Sequence, residues 1–279
     1  MSIADDSLRV LLTGFGPCPF STDQSWQAAK AFHNTTLTCP IPHEPIDLAS
    51  SSPTSPLDRP IHITSLHMPV SYQAVLDTVP GIYAQPPRIP HPDPKDNLEF
   101  VPPPADRQYD FIFHLGVAGR GPLRVERQAH RSGYQMKDAD GKHAALSTSK
   151  DFRRHMPPEG IKAIVDEFPV EPPGTENLGP PQRGFGDGYD GPEEMMTHID
   201  ATSLVQDLVK AVMQDASTSM DAGHHLGDYI YYCSLAESRR NTKPYEKRVT
   251  QVLLLHCPPE GSPLSLEQTC SGIKYTIMW

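Results

Sequence analysis

A few histidines, one carboxylate and scattered thiols are the residues of this chain that could do chemistry. His256 ends the apolar run Val252 to Leu255 and is followed by Cys257-Pro258-Pro259. Glu126 lies in Leu123-Arg124-Val125-Glu126-Arg127, shortly after the Gly-rich stretch Gly116 to Gly121. An imidazole next to a carboxylate can take a proton as general base and return it as general acid, with the carboxylate holding the ring in one tautomer. Taken alone, each residue also has a plainer reading. Glu126 fits a solvated charge between two arginines, and His256 fits a capping or core histidine at a strand end. His224 and His225 suggest a metal, but adjacent histidines rarely ligate one ion and no third ligand is evident along the chain, so no metal and no cofactor is expected. The five cysteines, Cys18, Cys39, Cys233, Cys257 and Cys270, are odd in number and lack C-x-x-C spacing. That pattern suits reduced thiols better than a disulfide framework or a zinc site.

Three strand-like runs end in residues that packing does not require. Arg9 to Leu12 leads into Thr13-Gly14-Phe15-Gly16-Pro17, Phe111 to Val117 into Ala118-Gly119-Arg120-Gly121, and Val252 to Leu255 into His256-Cys257-Pro258. In open α/β sheets ligands bind beyond the carboxyl ends of strands, so these three ends point to one site. Gly14-Phe15-Gly16 is not a dinucleotide fingerprint, because Pro19 stands where the third glycine belongs.

The positioning elements alternate. Strand patterns at 9–12, 61–68, 111–117 and 252–256 are interleaved with helix patterns at 25–32, 71–83 and 201–213, and with a stripe at Tyr229, Tyr232, Cys233 and Ala236. Ser265 to Gly272 begins another helix before a short apolar end, Ile273 to Trp279. Such alternation predicts an α/β fold, a three-layer α/β/α sandwich on a mostly parallel twisted sheet. The 31 prolines collect at about 40–60, 85–104 and 155–192. Proline lacks the amide donor and fixes φ, so these stretches are expected as surface insertions in a single domain spanning 1–279. The net charge of −10 argues against nucleic acid and anionic membrane surfaces as partners. No apolar run reaches the ~18 residues a spanning helix needs, and no signal segment is visible, so a cytoplasmic protein is expected.

Five short blocks resemble the pyroglutamyl peptidase I family of cysteine peptidases, in that family's order and across about half of the chain. They are Thr13-Gly14-Phe15-Gly16-Pro17 with Asp23-Gln24-Ser25-Trp26; Met68-Pro69-Val70-Ser71-Tyr72; Gly116-Val117-Ala118-Gly119 with Val125-Glu126-Arg127; Asp221-Ala222-Gly223; and His256-Cys257-Pro258. The Pro-rich stretches have no counterpart in the family pattern. In the family the Asp- or Asn-Ala-Gly turn precedes the catalytic Cys by four residues, at the start of a helix. Gly227 occupies that place here.

The resemblance implies a Cys-His-Glu mechanism that removes N-terminal pyroglutamate from peptides, with Glu126 and His256 as two triad members and Gly227 at the nucleophile position. It implies a lining for the pyroglutamyl ring from Phe15, Cys18, Val117, His225 and Leu226. Cys18 and His225 depart from the family's aromatic residues at their positions. A hydrogen side chain cannot form an acyl-enzyme, so turnover is expected to be absent or very slow, and the alternative is an inactive relative that binds blocked peptide N-termini or a protein partner. No other thiol replaces the missing one convincingly. Cys233 lies about 9 Å and roughly 240° further along a helix. Cys257 adjoins His256 on a strand, where neighbours face opposite sides. Cys18 falls in the turn near the expected pocket.

Overall fold

Leu8–Phe15 forms β1, an interior strand of the sheet, and its alternation explains why the apolar runs are continuous. Leu11 and Phe15 point into one apolar cluster, while Val10 and Leu12 point into another on the opposite side of the sheet. A strand covered on both faces has no side that can be polar. The computed structural model describes residues 3–4, 6–16, 24–38, 59–146, 182–186, 188–241 and 249–279. Cys18, and all but the last residues of the stretches 40–60 and 155–192, lie outside the described residues.

The strands that follow are β2 (Thr35–Leu37), β3 (Ile61–Met68), β4 (Phe111–Val117), β5 (Leu123–Glu126), β6 (Gln128–His130), β7 (Ala145–Leu146), β8 (Arg183–Gly184), β9 (Glu194–Met196), β10 (Ala216–Ser219) and β11 (Gln251–Cys257). Seven of them make one sheet in the order β10-β5-β11-β4-β1-β3-β2. The central four, β11, β4, β1 and β3, are parallel. β5 runs antiparallel to β11, and β2 runs antiparallel to β3. The helices are α1 (Gln24–Lys30), α2 (Tyr72–Ile82), α3 (Ala201–Ala211), α4 (Leu226–Asn241) and α5 (Leu266–Met278). α2 and α4 supply the first cluster, and α1, α3 and α5 the second. This is the three-layer α/β/α arrangement with a mostly parallel sheet, in one domain. Among the described residues no helix is long and apolar enough to cross a membrane.

Two departures from expectation have clear causes. The stripe on α4 is not a stripe: Leu226 and every residue from Asp228 to Ser238 are buried. The end of the third Pro-rich stretch covers the outer face of this helix. Phe185 stacks on Tyr229 at 4.0 Å, Tyr189 donates a hydrogen bond to Glu237 Oε1 at 2.8 Å, and Tyr232 donates to the carbonyl of Pro192 at 2.7 Å. Phe185 and Tyr189 are thereby part of the core, where the prolines alone suggested surface. The second departure is α5, which continues past Gly272 to Met278. Ser265 and Gln268 close its start with a reciprocal capping box, and Ile273 and Ile277 are buried at its end.

Candidate active site

Register decides which side chains meet. Glu126 on β5 pairs with Leu254 on β11, and Arg124 pairs with His256. Glu126 and His256 are therefore a diagonal cross-strand pair on one face, the face turned to α4. His256 Nδ1 and Glu126 Oε1 are 2.7 Å apart, and both side chains are buried. Glu126 is not the solvated charge that its arginine neighbours suggested. Arg124 Nε stands 3.7 Å from Oε1, at the half-exposed rim. Oε2 is buried and has no hydrogen-bond partner among the described residues. Tyr231, on α4, donates a hydrogen bond of 3.0 Å to the carbonyl of Glu126 and pins the end of β5 against the helix.

The imidazole of His256 lies between two glycines. Gly116 on β4 is its register partner, and a Cβ there would meet the ring at 2.6 Å. On the other side Gly227, in the first turn of α4, faces the ring: a Cβ built on it would stand 2.7 Å from Nε2. Gly227, His256 and Glu126 thus form a line at the start of a helix, where unpaired amides favour negative charge. The arrangement can accept a proton at Nε2 and hold the resulting imidazolium beside a carboxylate. It presents no reactive atom of its own at residue 227.

The remaining expected site residues divide. Phe15, at the end of β1, and Leu226 share the apolar cluster beside this line. His225 is half-buried, with its ring edge-on to Tyr72 at 6.2 Å, and burial lowers its pKa. Val117 pairs with Cys257 and packs into the cluster on the opposite side of the sheet, so its side chain does not join the others. The strand alternation also takes Cys257 away from His256: its thiol lies 3.2 Å from the carbonyl of Gly116, and burial pushes its pKa up to about 12. Cys233 is enclosed within α4's surroundings, where burial raises its pKa strongly. Neither thiol is a thiolate at neutral pH. Gly116 was singled out in the sequence only as part of a Gly-rich strand end, and Tyr231 not at all, because a glycine's register partner and a tyrosine's distant acceptor leave no local pattern.

A cavity of about 690 Å³ opens nearby, beyond the ends of β1 and β3 and not over the Glu126–His256 pair. Gly16, Trp26, His67, Val70 and Asp96 are among its walls. Asp96, from the second Pro-rich stretch, accepts from Trp26 Nε1 at 2.8 Å and pairs with His67 Nδ1 at 2.9 Å, so that stretch is tied to the fold.

No protein-family model matches the chain, and no curated protein matches it. Solved structures do. Pyroglutamyl peptidase I from Bacillus amyloliquefaciens superposes with a TM-score of 0.57 at 18% identity, covering 98% of this chain and 96% of that one. The fold is that of pyroglutamyl peptidase I. Pyrrolidone carboxyl peptidase from Thermococcus litoralis gives 0.58 at 16% identity, over 97% and 91% of the two chains. The enzyme from Fervidobacterium islandicum AW-1 gives 0.56 at 20% identity, over 96% and 95%. Likeness at this level of identity establishes the peptidase fold from end to end, and the chemistry has to be argued from the residues.

Proposed function

We propose that this chain is a distant relative of the pyroglutamyl peptidases that recognises pyroglutamyl N-termini of peptides and has lost the thiol route to cleaving them. The observation that carries this reading is the line Gly227–His256–Glu126. The base and its orienting carboxylate are in hydrogen-bond contact, and the residue facing Nε2 has no side chain. Recognition is supported by Phe15, whose ring ends β1 in the same apolar cluster as Leu226. A neutral lactam buries well against an aromatic face, with few polar contacts needed to orient it.

The test is an assay with a fluorogenic pyroglutamyl amide on the wild type, Gly227→Cys and Gly227→Ala. Loss of a triad nucleophile leaves only the acceleration from binding and oxyanion contacts. The expected result is a wild type near the buffer rate, an equally silent Gly227→Ala, and a gain of at least about 10²-fold in Gly227→Cys. The new Cβ would start 2.7 Å from Nε2, so the imidazole must withdraw slightly before thiol and base can share a proton. Robust wild-type turnover, abolished by Cys18→Ala, would overturn the reading in favour of an active enzyme with a displaced nucleophile. Calorimetry with a pyroglutamyl peptide checks recognition separately, and no heat of binding from wild type or variant would sink it.

A further inference from the structure

A second cluster of histidines sits on the far side of the same helix start. His224 precedes α4, His130 ends β6, and Asp228 lies in the first turn of α4. One ligand atom from each lies within 4.8 Å of the others. His130 Nδ1 is 2.8 Å from Asp228 Oδ2, and His224 Nδ1 is 3.8 Å from that same oxygen. We propose that His130, His224 and Asp228 form a binding site for a first-row divalent transition ion, with zinc the best fit.

The donor set is two imidazoles and one carboxylate, which matches borderline ions and not calcium or magnesium. Tetrahedral zinc with ligand bonds of about 2.0–2.1 Å needs neighbouring donors about 3.4 Å apart. The two separations, 2.8 and 3.8 Å, bracket that spacing. The 2.8 Å contact is a hydrogen bond, and replacing its proton by a metal lengthens it towards the required distance.

The backbone is shaped to bring His224 there. His224 has a left-handed φ of 45°, uncommon for a residue with a side chain. The facing residue is Gly133, at φ 100°, where a Cβ would come within 2.8 Å of His224 Nδ1. The two rings end with centroids 4.3 Å apart. Asp228 is fully buried, and its orientation is fixed without the ion: Oδ1 accepts from the His130 amide at 2.9 Å and Oδ2 from the His224 amide at 3.2 Å. Such outer contacts orient a ligand before the metal arrives. The carbonyl of Ser132, 3.0 Å from His224 Nδ1, or a water can complete the coordination, since His224 is open to solvent on one side. His225, the other half of the pair that first suggested a metal, takes no part. Its Nε2 lies 3.3 Å from the carbonyl of Lys137. The third ligand missing from the sequence was His130, 94 positions before His224, brought there by the fold.

This inference does not depend on the proposed function. The experiment is a calorimetric titration of chelator-treated full chain with zinc sulfate at mildly alkaline pH, checked by metal analysis after desalting. One zinc per chain is expected for the wild type. His224→Ala should weaken binding by about 10²-fold or more, and His130→Gln should do likewise with its circular dichroism unchanged. His198→Ala, an exposed histidine elsewhere, should bind as wild type. His224 is partly exposed, so its removal leaves the core intact. A wild type that takes up no zinc, or a His224→Ala protein that binds it undiminished, overturns the site.

Discussion

Two histidine–carboxylate pairs flank the start of α4, and their contacts are nearly the same length: 2.7 Å for His256–Glu126 and 2.8 Å for His130–Asp228. Their surroundings differ. Glu126 receives one imidazole, keeps one oxygen without a hydrogen-bond partner among the described residues, and lines its histidine up on a helix position without a side chain. Asp228 is saturated by two amides and an imidazole, and a second imidazole approaches the same oxygen. In the two proposals above, the first pair would move a proton and the second would hold a cation. The difference lies less in residue type than in how many donors converge on the carboxylate.

The comparison can be tested for stability first. Removing Asp228 strips three donors of their acceptor, whereas removing Glu126 also removes an unsatisfied oxygen. Urea unfolding is expected to show Asp228→Ala losing about 3–5 kcal/mol, the usual cost of breaking a buried pair. Glu126→Ala should lose less, about 1–2 kcal/mol. The reverse order would mean that Glu126 is the better satisfied carboxylate.

A smaller effect probes the ring's seat. In a Gly227→Cys background, Gly116→Ala places a Cβ 2.6 Å from the imidazole edge and pushes it off line. Turnover gained by the cysteine should then fall by about 10²-fold, with circular dichroism unchanged. Full activity in the double variant would show that the ring is not confined by β4.

The last test concerns a histidine with no carboxylate beside it, and its effect appears only as the pH falls. His114 on β4 is fully enclosed, with Nδ1 2.8 Å from Thr13 Oγ1 and Nε2 2.7 Å from Ser234 Oγ. Burial lowers its pKa to about 3, so the folded protein keeps it neutral where the unfolded chain, near 6.5, takes up a proton. The unfolded state then binds more protons, so stability falls as pH drops from about 6.5 towards 3, by about 1.4 kcal/mol per unit from this group. His114→Gln should flatten the pH slope of unfolding by about that amount between pH 6 and 4. An unchanged slope would place the acid sensitivity elsewhere.

Much of this was legible in the residues. β3 and β4 were delimited by their apolar runs, and β1 and β11 were found but undercut by two to four residues, because their ends carry Thr13, Phe15, Gln251 and Cys257. The short strands were not legible. β5 reads Leu-Arg-Val-Glu and β10 reads Ala-Ser-Thr-Ser, and four residues give too little periodicity to separate a strand from a loop. That is why Glu126 read as a solvated charge from its neighbours, and only the resemblance set it beside His256. α5 was cut at Gly272 because glycine weakens a helix. Here it lets the helix lie against β5, where a Cβ would strike Leu123 at 2.5 Å. The His130–His224–Asp228 cluster was invisible for a simpler reason: His224 and Asp228 are neighbours on one helix start, but His130 joins them through tertiary packing alone.

β5 borders the central four and runs against its neighbour β11, and it is only four residues long. Successive side chains on so brief a ribbon alternate between the two layers, so the whole proton-handling line depends on its phase. A one-residue slip of β5 against β11 would turn Val125 towards α4 and Glu126 towards the opposite layer. His256 would then face a methyl-bearing wall, so the burial of Leu123 and Val125 in the other layer is what keeps a charge at this corner of the protein.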